Sequence, residues 1–361
     1  MAVAWIGNRE VPLARAAKKA AELLVSSRCP VFSLDTDVHG TRAALALAAR
    51  VGASCDYVNG EAAAREAAVI AASGGMFILP GEARRRADMI VFVGEIPESH
   101  RAYVEELAIS VPDLATGGKR GLFLIGADRG APKRLGGREV TLLSCEGTDL
   151  AGTLAAVRAL CAGRKVTAEV TNIDGFKGAL AEAGFPVFLF GGGEADGLTL
   201  EMLQGLVSDI NRRKRASTLH LPASEKAWGA ALTSTWTTGF PLRTGFSRGY
   251  PEHDPWRWNA GRMLDAGEAD LHLWLSATGG EAPPAAAGAS LIAVAKTARP
   301  AVGADVTIAV GDPGLDHDAV SYSVRTGTLA AVAARSSSQL PAAAVLRAII
   351  AHLPEGAEAP C

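Results

Sequence analysis

Cysteine is scarce in this chain. Only five of its 361 residues are cysteines, they are widely spaced, and no two form a C-x-x-C pair. This pattern excludes a disulfide framework and gives no local sign of a zinc knuckle or an iron–sulfur cluster, which need closely spaced thiolates. We expect small, unpaired, buried thiols at Cys29, Cys55, Cys145, Cys161 and Cys361.

Excess charge and long apolar runs are also missing. Lysine and arginine (36) nearly balance aspartate and glutamate (38), so the formal net charge is −2. Such a surface has no field to hold a nucleic-acid backbone or an anionic membrane, and no apolar run reaches the roughly 18–20 residues that span a bilayer. Because Arg9 and Glu10 interrupt the N-terminal apolar residues, no export signal is predicted. The sequence predicts a cytoplasmic protein that binds neither nucleic acid nor membrane.

Local motifs for catalysis or metal binding are not predicted either. No G-x-x-x-x-G-K-[ST] loop is present, and no two histidines have H-x-H or H-x-x-x-H spacing. His272 lies inside an apolar run and is interpreted as a core histidine. The acidic loop with Asp312, Asp316, His317 and Asp318 lacks the Ca²⁺-loop pattern, so we interpret it as a solvated turn.

Short apolar runs alternate with alanine-rich stretches of helical spacing. Nearly continuous apolarity over four to six residues is typical of strands that are covered on both faces. The predicted strands are Val31–Leu34, Met76–Leu79, Met89–Val93, Leu122–Ile125, Val187–Phe190, Thr218–Leu221, Leu271–Leu275, Leu291–Ala295 and Val306–Val310. The predicted helices are Pro12–Val25, Thr41–Val51, Glu61–Ala72, Leu150–Cys161, Leu198–Arg212 and Ala342–His352. This alternation predicts doubly wound α/β layers.

Two changes of composition suggest the domain boundaries. Residues 164–172 are polar, and Asn172 or Asp174 is a candidate cap for a new helix. Residues 277–288 are rich in glycine and proline, which is typical of an exposed connection. We predict a discontinuous first α/β domain of residues 1–164 and 281–361, with an inserted α/β domain of residues 165–280.

A glycine-rich turn follows one of the predicted strands. Gly191-Gly192-Gly193 precedes a predicted helix, a setting in which backbone N–H groups can bind a phosphate. The dinucleotide fingerprint requires a third glycine where Asp196 stands, and a carboxylate there repels a pyrophosphate. We interpret the segment as a tight structural turn, and NAD binding stays as a lesser alternative.

The most unusual segment is Trp236–Trp258. It holds six aromatic residues, interleaved with glycines and prolines that disfavour helix and strand alike. Long connections in compact domains are usually functional or lie at an interface, and its arginines are common at protein contacts. We predict an ordered loop that contacts a partner or crosses a cleft, and packing within the domain is an equal alternative.

Three stretches together resemble the B subunit of formylmethanofuran dehydrogenase, a shortened member of the molybdopterin oxidoreductase family. They are Arg86–Pro97 (RADMIVFVGEIP), Trp236–Pro251 (WTTGFPLRTGFSRGYP), and Ala304–Val310 (ADVTIAV) continued by Asp318–Gly327 (DAVSYSVRTG). The last stretch is similar to the family's "ADVVIP…GTAYR" segment. The resemblance implies two doubly wound, Rossmann-like α/β domains, the second inserted into the first.

The sequence departs from that family where the cofactor binds. The family's metal-ligating cysteine aligns with Asp37-Val38-His39, and histidine cannot supply the soft anionic sulfur that suits molybdenum or tungsten. The family's "GxNP" turn aligns with Gly94–Pro97, which puts Ile96 in place of the amide and adds the negative charge of Glu95. No cysteine-rich segment for an iron–sulfur cluster is present.

These departures make the chain more similar to the B subunits of formyltransferase/hydrolase complexes of methylotrophic bacteria. The resemblance implies a complex that passes a formyl group from tetrahydromethanopterin to a methanofuran carrier and hydrolyses it to formate, in formaldehyde oxidation. It further implies that an amidohydrolase-like A subunit and a formyltransferase D subunit carry the chemistry. A C subunit would pair with the B subunit as a scaffold.

The resulting prediction is a non-catalytic structural subunit that binds the A, C and D subunits. It has no predicted catalytic, cofactor-binding or metal-binding residue and no cofactor. The alternative is an active dehydrogenase subunit that holds molybdopterin guanine dinucleotide, with His39 as an unusual metal ligand. The sequence leaves open whether a residual pocket near His39, Glu95 and Gly191 binds anything, and whether Trp236–Trp258 meets a partner or seals an empty cleft.

Overall fold

A computed structural model describes residues 3–115, 119–126, 132–191, 195–279, 282–285, 288–335 and 339–355. In chain order the strands are β1 (Ala4–Ile6), β2 (Arg9–Val11), β3 (Pro30–Asp35), β4 (Ser54–Tyr57), β5 (Met89–Val93), β6 (Gly121–Ile125), β7 (Arg134–Leu135), β8 (Arg138–Glu139), β9 (Thr141–Leu143), β10 (Pro186–Gly191), β11 (Ser217–Leu221), β12 (Thr244–Gly245), β13 (Glu252–His253), β14 (Leu271–Ser276), β15 (Ser290–Ala295), β16 (Val306–Ala309), β17 (Ala319–Ser323) and β18 (Thr328–Val332). The α-helices are α1 (Leu13–Ser26), α2 (Val38–Val51), α3 (Glu61–Ser73), α4 (Pro80–Arg86), α5 (Arg101–Ile109), α6 (Leu150–Cys161), α7 (Ile173–Glu182), α8 (Gly197–Asn211), α9 (Glu225–Thr238), α10 (Ala260–Asp265) and α11 (Ala342–Ile350).

The chain divides into two compact units. The first unit takes its described residues from Met1–Ala64, Glu225–Tyr322 and Leu329–Cys361. The second unit takes them from Arg65–Ser224 and the short stretch Ser323–Thr328. Along the sequence, one α/β unit is therefore inserted into the other, as the family resemblance implies.

The first unit is built on a mostly parallel sheet. Its strand order is β13-β12-β4-β3-β14-β15-β16-β1-β2, and the strands from β4 to β16 run parallel. Residues of α1, α2, α9 and α11 share one apolar core with this sheet, around side chains such as Phe32, Leu47 and Leu273. The chain adds β4 on one side of β3 and later adds β14 on the other. The topological switch point, where open α/β sheets bind ligands, therefore lies between β3 and β14.

The second unit is built on an all-parallel sheet. Its strand order is β11-β10-β5-β6-β9, so its switch point lies between β5 and β10. Its core combines the sheet residues Phe123 and Phe188 with apolar residues of α6, α7 and α8. Both sheets confirm the predicted doubly wound α/β class.

The observed division differs from the predicted boundaries at 164 and 280. The prediction puts strands β5, β6 and β9 in the first domain, but they pair in one sheet with β10 and β11. It puts strand β14 in the inserted domain, but this strand pairs with β3 and β15 of the first unit. The composition changes mark exposed connections inside each unit, whereas strand pairing decides which residues share a core.

Several local predictions also need correction. Met76–Leu79 is not a strand, because only Phe77 makes an isolated bridge, to Thr218, and α4 begins at Pro80. Helices α4, α5 and α9 are not among the predicted helices. The segment Trp236–Trp258 is not wholly irregular, since α9 extends into it and β12 and β13 lie within it.

Candidate functional site

The two sheet switch points hold His39 and Glu95, which lie in the turns that the resemblance aligned with a cofactor site, and Gly191 of the glycine-rich turn. His39 lies exposed at the start of α2, which follows β3 in the first unit. Glu95 lies exposed after β5, and Gly191 ends β10; both belong to the second unit. Neither unit by itself contains all three residues. Within the second unit the two turns are neighbours, because Val93 pairs with Phe190.

Gly191 is required by backbone packing. Its φ is +152°, and a Cβ at this position would lie 1.7 Å from the carbonyl oxygen of Leu221 on the neighbouring strand. Only glycine allows β10 and β11 to approach so closely. This supports the interpretation as a tight structural turn, while Gly192 and Gly193 lie outside the described residues.

Aspartate side chains cap three helices, α2, α6 and α8, which follow β3, β9 and β10. Asp37 accepts a hydrogen bond from Gly40 N at 2.9 Å at the start of α2, and Asp149 accepts one from Gly152 N at 2.7 Å at the start of α6. Asp196 caps α8 through Thr199 N at 2.8 Å, and its hydrogen bonds with Thr199 hold the pKa of this carboxyl below its ordinary value. Each carboxylate uses N–H groups that would otherwise bind an anion.

This set of side chains does not fit molybdopterin guanine dinucleotide. A phosphate group at the start of α2 would meet the Asp37 carboxylate, one at the start of α8 would meet the Asp196 carboxylate, and like charges repel in either case. His39 offers an imidazole nitrogen in place of a thiolate sulfur, and Glu95 adds a carboxylate. Within the described residues, no group of three or more histidine, cysteine, aspartate or glutamate side chains is arranged to hold a metal ion.

Other side chains considered in the sequence have structural roles. His272 is buried, its Nε2 lies 2.9 Å from Ser33 Oγ, and burial lowers its pKa to about 4. In the acidic loop, Asp312 pairs with Lys296 at 2.9 Å and Asp318 accepts from Ala334 N at 2.8 Å. These contacts are those of a hydrogen-bonded turn.

The described cysteines are free thiols, as predicted, but only two of them are buried. Cys55 and Cys145 are buried, Cys29 and Cys161 are half-buried, and Cys361 lies outside the described residues. Burial raises the pKa of Cys161 to about 11.

A buried arginine anchors the aromatic segment Trp236–Trp258 to the sheet of the first unit. Arg243 has φ of +67°, and its N–H donates to Cys55 O at 2.8 Å. Its side chain donates to Asp56 Oδ1 at 3.1 Å, to Pro255 O at 3.0 Å and to Glu61. Burial raises the pKa of the Asp56 carboxyl, and the Arg243 guanidinium acts in the opposite direction.

Two aromatic side chains complete the attachment. Phe246 and Trp258 are buried, and Phe246 N donates to Ala53 O at 3.0 Å. The indole ring of Trp258 packs against Gly245, where a Cβ would lie only 2.6 Å from the ring. The segment is thus ordered, and part of it packs within its own unit.

The remaining aromatic side chains of the segment are exposed. Trp256 is 70% exposed and stacks under the Arg262 guanidinium at 4.4 Å, and Trp236 is 63% exposed. Phe240 stacks on His253 with 6.0 Å between ring centroids, and Tyr250 is exposed. Aromatic residues held rigidly at a surface beside arginines are the usual anchors of protein interfaces. We call Trp236, Phe240, Tyr250 and Trp256 the aromatic face.

The same segment also contains a G-x-S-x-G sequence, Gly245–Gly249, which resembles a nucleophile elbow. That motif requires a strand followed at once by a helix. Here the two-residue β12 leads into a turn, and Ser247 is exposed with no hydrogen bond to a histidine among the described residues. The geometry does not support a nucleophilic serine.

The chain is similar over nearly its whole length to the B subunit of the formyltransferase/hydrolase complex Fhc of Methylorubrum extorquens. The two are 34% identical over 345 residues, which cover 94% of this chain and 93% of the relative. This chain belongs to the family of formyltransferase/hydrolase complex B subunits. This is the family that was predicted because His39 and Ile96 differ from the dehydrogenase pattern.

A solved structure agrees with this family, and a shorter match links the chain to the dehydrogenase family that it resembles. A chain in the crystal structure of the FhcABCD complex of Methylorubrum extorquens with methylofuran has a TM-score of 0.86 and 31% identity, with 96% of this chain and 97% of that chain covered. The B subunit of the tungsten-containing formylmethanofuran dehydrogenase 2 of Methanocaldococcus jannaschii is 34% identical, but over only 68 residues, 19% of this chain and 16% of the relative. No protein-family profile matches the chain.

The contacts that hold the aromatic face in place were not predicted from the sequence. Arg243 is separated from Asp56 by 187 residues, and no spacing rule links them. The sequence holds one sign of this anchor, an arginine that lies between a proline and a glycine in a segment without helix or strand periodicity.

Proposed function

We propose that this chain is a structural subunit of a formyltransferase/hydrolase complex, assembled with A, C and D subunits. The complex would transfer a formyl group from tetrahydromethanopterin to a methanofuran carrier and release formate. The observation that carries the proposal is the match to the M. extorquens relative over 345 residues. The aspartate caps at the starts of α2 and α8, which disfavour phosphate binding there, support it. Hydrolysis to formate needs no electron transfer, so the chain needs neither a cluster nor a metal ligand for it.

The aromatic face would contact a partner subunit in this assembly. Support comes from its rigid attachment through Arg243 and from four exposed aromatic side chains in one segment. We also propose a cytoplasmic location, which the free cysteines favour because stable disulfides are typical of oxidising compartments. No helix in the described part of the chain is long and apolar enough to cross a membrane.

Co-purification tests the proposal. The four subunits are co-expressed with an affinity tag on the A subunit, and the eluate is assayed for this chain and for formyl transfer. Stoichiometric recovery of the chain supports the proposal, and its absence from an otherwise active complex contradicts it.

Metal analysis separates this function from the dehydrogenase alternative. The purified complex is analysed for molybdenum, tungsten and extractable guanine nucleotide, and assayed for viologen-linked oxidation of formylmethanofuran. Stoichiometric metal, with an activity that His39→Ala abolishes, would establish a redox subunit instead.

A further inference from the structure

The second unit carries a basic cleft. It has a volume of about 610 Å³ and is formed where α6, α7 and α8 end. The helices of parallel α/β units end beside the starts of the strands, so this cleft lies at the sheet edge opposite Gly94 and Gly191. Leu180, Leu206 and Ile210 provide its apolar floor.

Positive charge dominates the lining of this cleft. Among the described residues that line it, one carboxylate, Asp209, faces six cations. Arg158 and Arg212 share Asp209, at 2.7 and 3.6 Å. Hydrogen bonding and charge from the surrounding arginines, Arg158 first, lower the pKa of Asp209. The lining cations are Arg158, Arg164, Lys177, Arg212, Arg213 and Lys214.

Helix capping accounts for only part of this charge. Lys214 Nζ donates to the carbonyl oxygens of Leu180, Ala181 and Ala183 at 2.6–2.8 Å, and so caps the C-terminal end of α7. Each helix C-terminus carries about half a negative charge, so three ends and Asp209 leave about three and a half of the six positive charges uncompensated. This surplus is local, because the whole chain has a net charge of −2.

The uncompensated charges are exposed and widely placed. Arg164, Lys177 and Arg213 are exposed and come from three different segments around the apolar floor. Lys177 Nζ lies 4.0 Å from the carboxylate of the exposed Asp174, a weak surface pair. A buried arginine fork would suit one phosphate, whereas a wide basic rim over an apolar floor suits an extended amphipathic segment. No aromatic residue among the described lining residues offers a stacking surface for a nucleic-acid base.

We propose that this basic cleft binds an acidic, amphipathic polypeptide segment of a partner subunit. The segment places its carboxylates against Arg164, Lys177 and Arg213 and its apolar side chains on the half-buried Leu180 of the floor. This inference rests on the proposed function, because it assumes a multisubunit assembly. It adds a second contact, electrostatic in character, to the one made by the aromatic face.

The test measures binding of this chain to the assembled A, C and D subunits at rising ionic strength. The triple variant Arg164→Glu/Lys177→Glu/Arg213→Glu should raise Kd by about tenfold or more at about 0.1 M salt and flatten its salt dependence. The charge-retaining variant Arg164→Lys/Arg213→Lys should bind like the wild type. A matched control, Lys119→Glu/Lys133→Glu, reverses exposed charges elsewhere in the second unit.

The outcomes separate the inference from the proposed function. If the triple variant binds its partners like the wild type, or is weakened no more than the control, the proposed peptide binding at the cleft is overturned. The proposed subunit role is then unaffected. Absence of wild-type binding at any salt overturns both. Saturable binding of tripolyphosphate to the isolated chain, with partner affinity unaffected by the triple variant, would show a small-anion site and overturn the proposal.

Discussion

At the residue scale, the single side chain of Arg243 holds the aromatic segment against the sheet of the first unit. It is buried between Asp56 and Glu61 and fixes the aromatic segment on β4. Replacing Arg243 by Met leaves the Asp56 carboxylate buried without its counter-charge, so the free energy of unfolding should fall by about 3–5 kcal/mol. Urea unfolding of the purified chain measures the change. Arg248→Met, which removes the surface pair with Glu252 and the contact with the exposed Tyr250, should cost less than about 1 kcal/mol; equal losses in the two variants would contradict the anchoring role.

His272 should make the first unit sensitive to acid. Its pKa is lowered by burial to about 4, whereas an unfolded histidine titrates near 6.5. As the pH falls from about 6.5 to about 4, the unfolded state binds a proton that the folded state does not, and stability falls by up to about 3 kcal/mol. The contribution is fully present above the unfolded pKa. His272→Gln should reduce the loss between pH 7 and pH 5 in urea titrations, and an unchanged pH slope would refute the assignment.

At the scale of elements, the turn after β10 depends on the absence of a side chain. In Gly191→Ala the new Cβ would meet the carbonyl oxygen of Leu221, so β10 and β11 must separate. Backbone strain and overpacking should each cost about 1–3 kcal/mol, seen as a lower thermal midpoint. Gly197→Ala is the matched control, because nothing lies within 4 Å of its Cβ and α8 tolerates alanine there. Equal midpoints for both variants would exclude the close approach.

The sequence predicted strands better than it predicted helices and their ends. Continuous apolar runs located β3, β5, β10 and β14, because a strand buried on both faces has few polar positions. Helix α9 was missed because its threonines and tryptophans have low helix propensity, and its threonine hydroxyls bond to carbonyls one turn back, as from Thr233 to Gly229. The predicted strand at Met76 failed because a short apolar run between Gly75 and Pro80 gains only one bridging residue.

At the scale of the whole molecule, the pairing of strands from distant segments could not be predicted from the sequence. The pairing of β14 with β3 joins residues about 240 positions apart, and composition along the chain carries no trace of it. The composition changes and the family resemblance both predicted that one α/β unit is inserted into the other, but the boundaries at 164 and 280 were wrong because strand pairing sets them. The candidate cofactor turns were placed correctly at the strand ends, since motif alignment fixes residues locally. The contacts of Arg243 and the basic cleft depend on packing between segments that the sequence separates.

Binding to the partner subunits is the measurement that tests the role of the aromatic face. Trp256 is exposed and ordered by Arg262, and Arg248 lies exposed in the same segment, so Trp256→Ala or Arg248→Ala should weaken binding to the partner subunits by about 1–4 kcal/mol. The free energy of unfolding of the chain alone should change by much less. Isothermal titration against the assembled A, C and D subunits gives the first quantity, and urea unfolding gives the second.

Trp258 supplies the contrast that makes this prediction specific. It is buried against Gly245, so Trp258→Ala should lower the stability of the chain itself by about 3–5 kcal/mol. If Trp256→Ala binds its partners like the wild type while Trp258→Ala unfolds, the segment serves only its own unit. Loss of binding in Trp256→Ala with unchanged stability assigns the exposed aromatics to an interface, because truncating an exposed side chain leaves the core of its own unit intact.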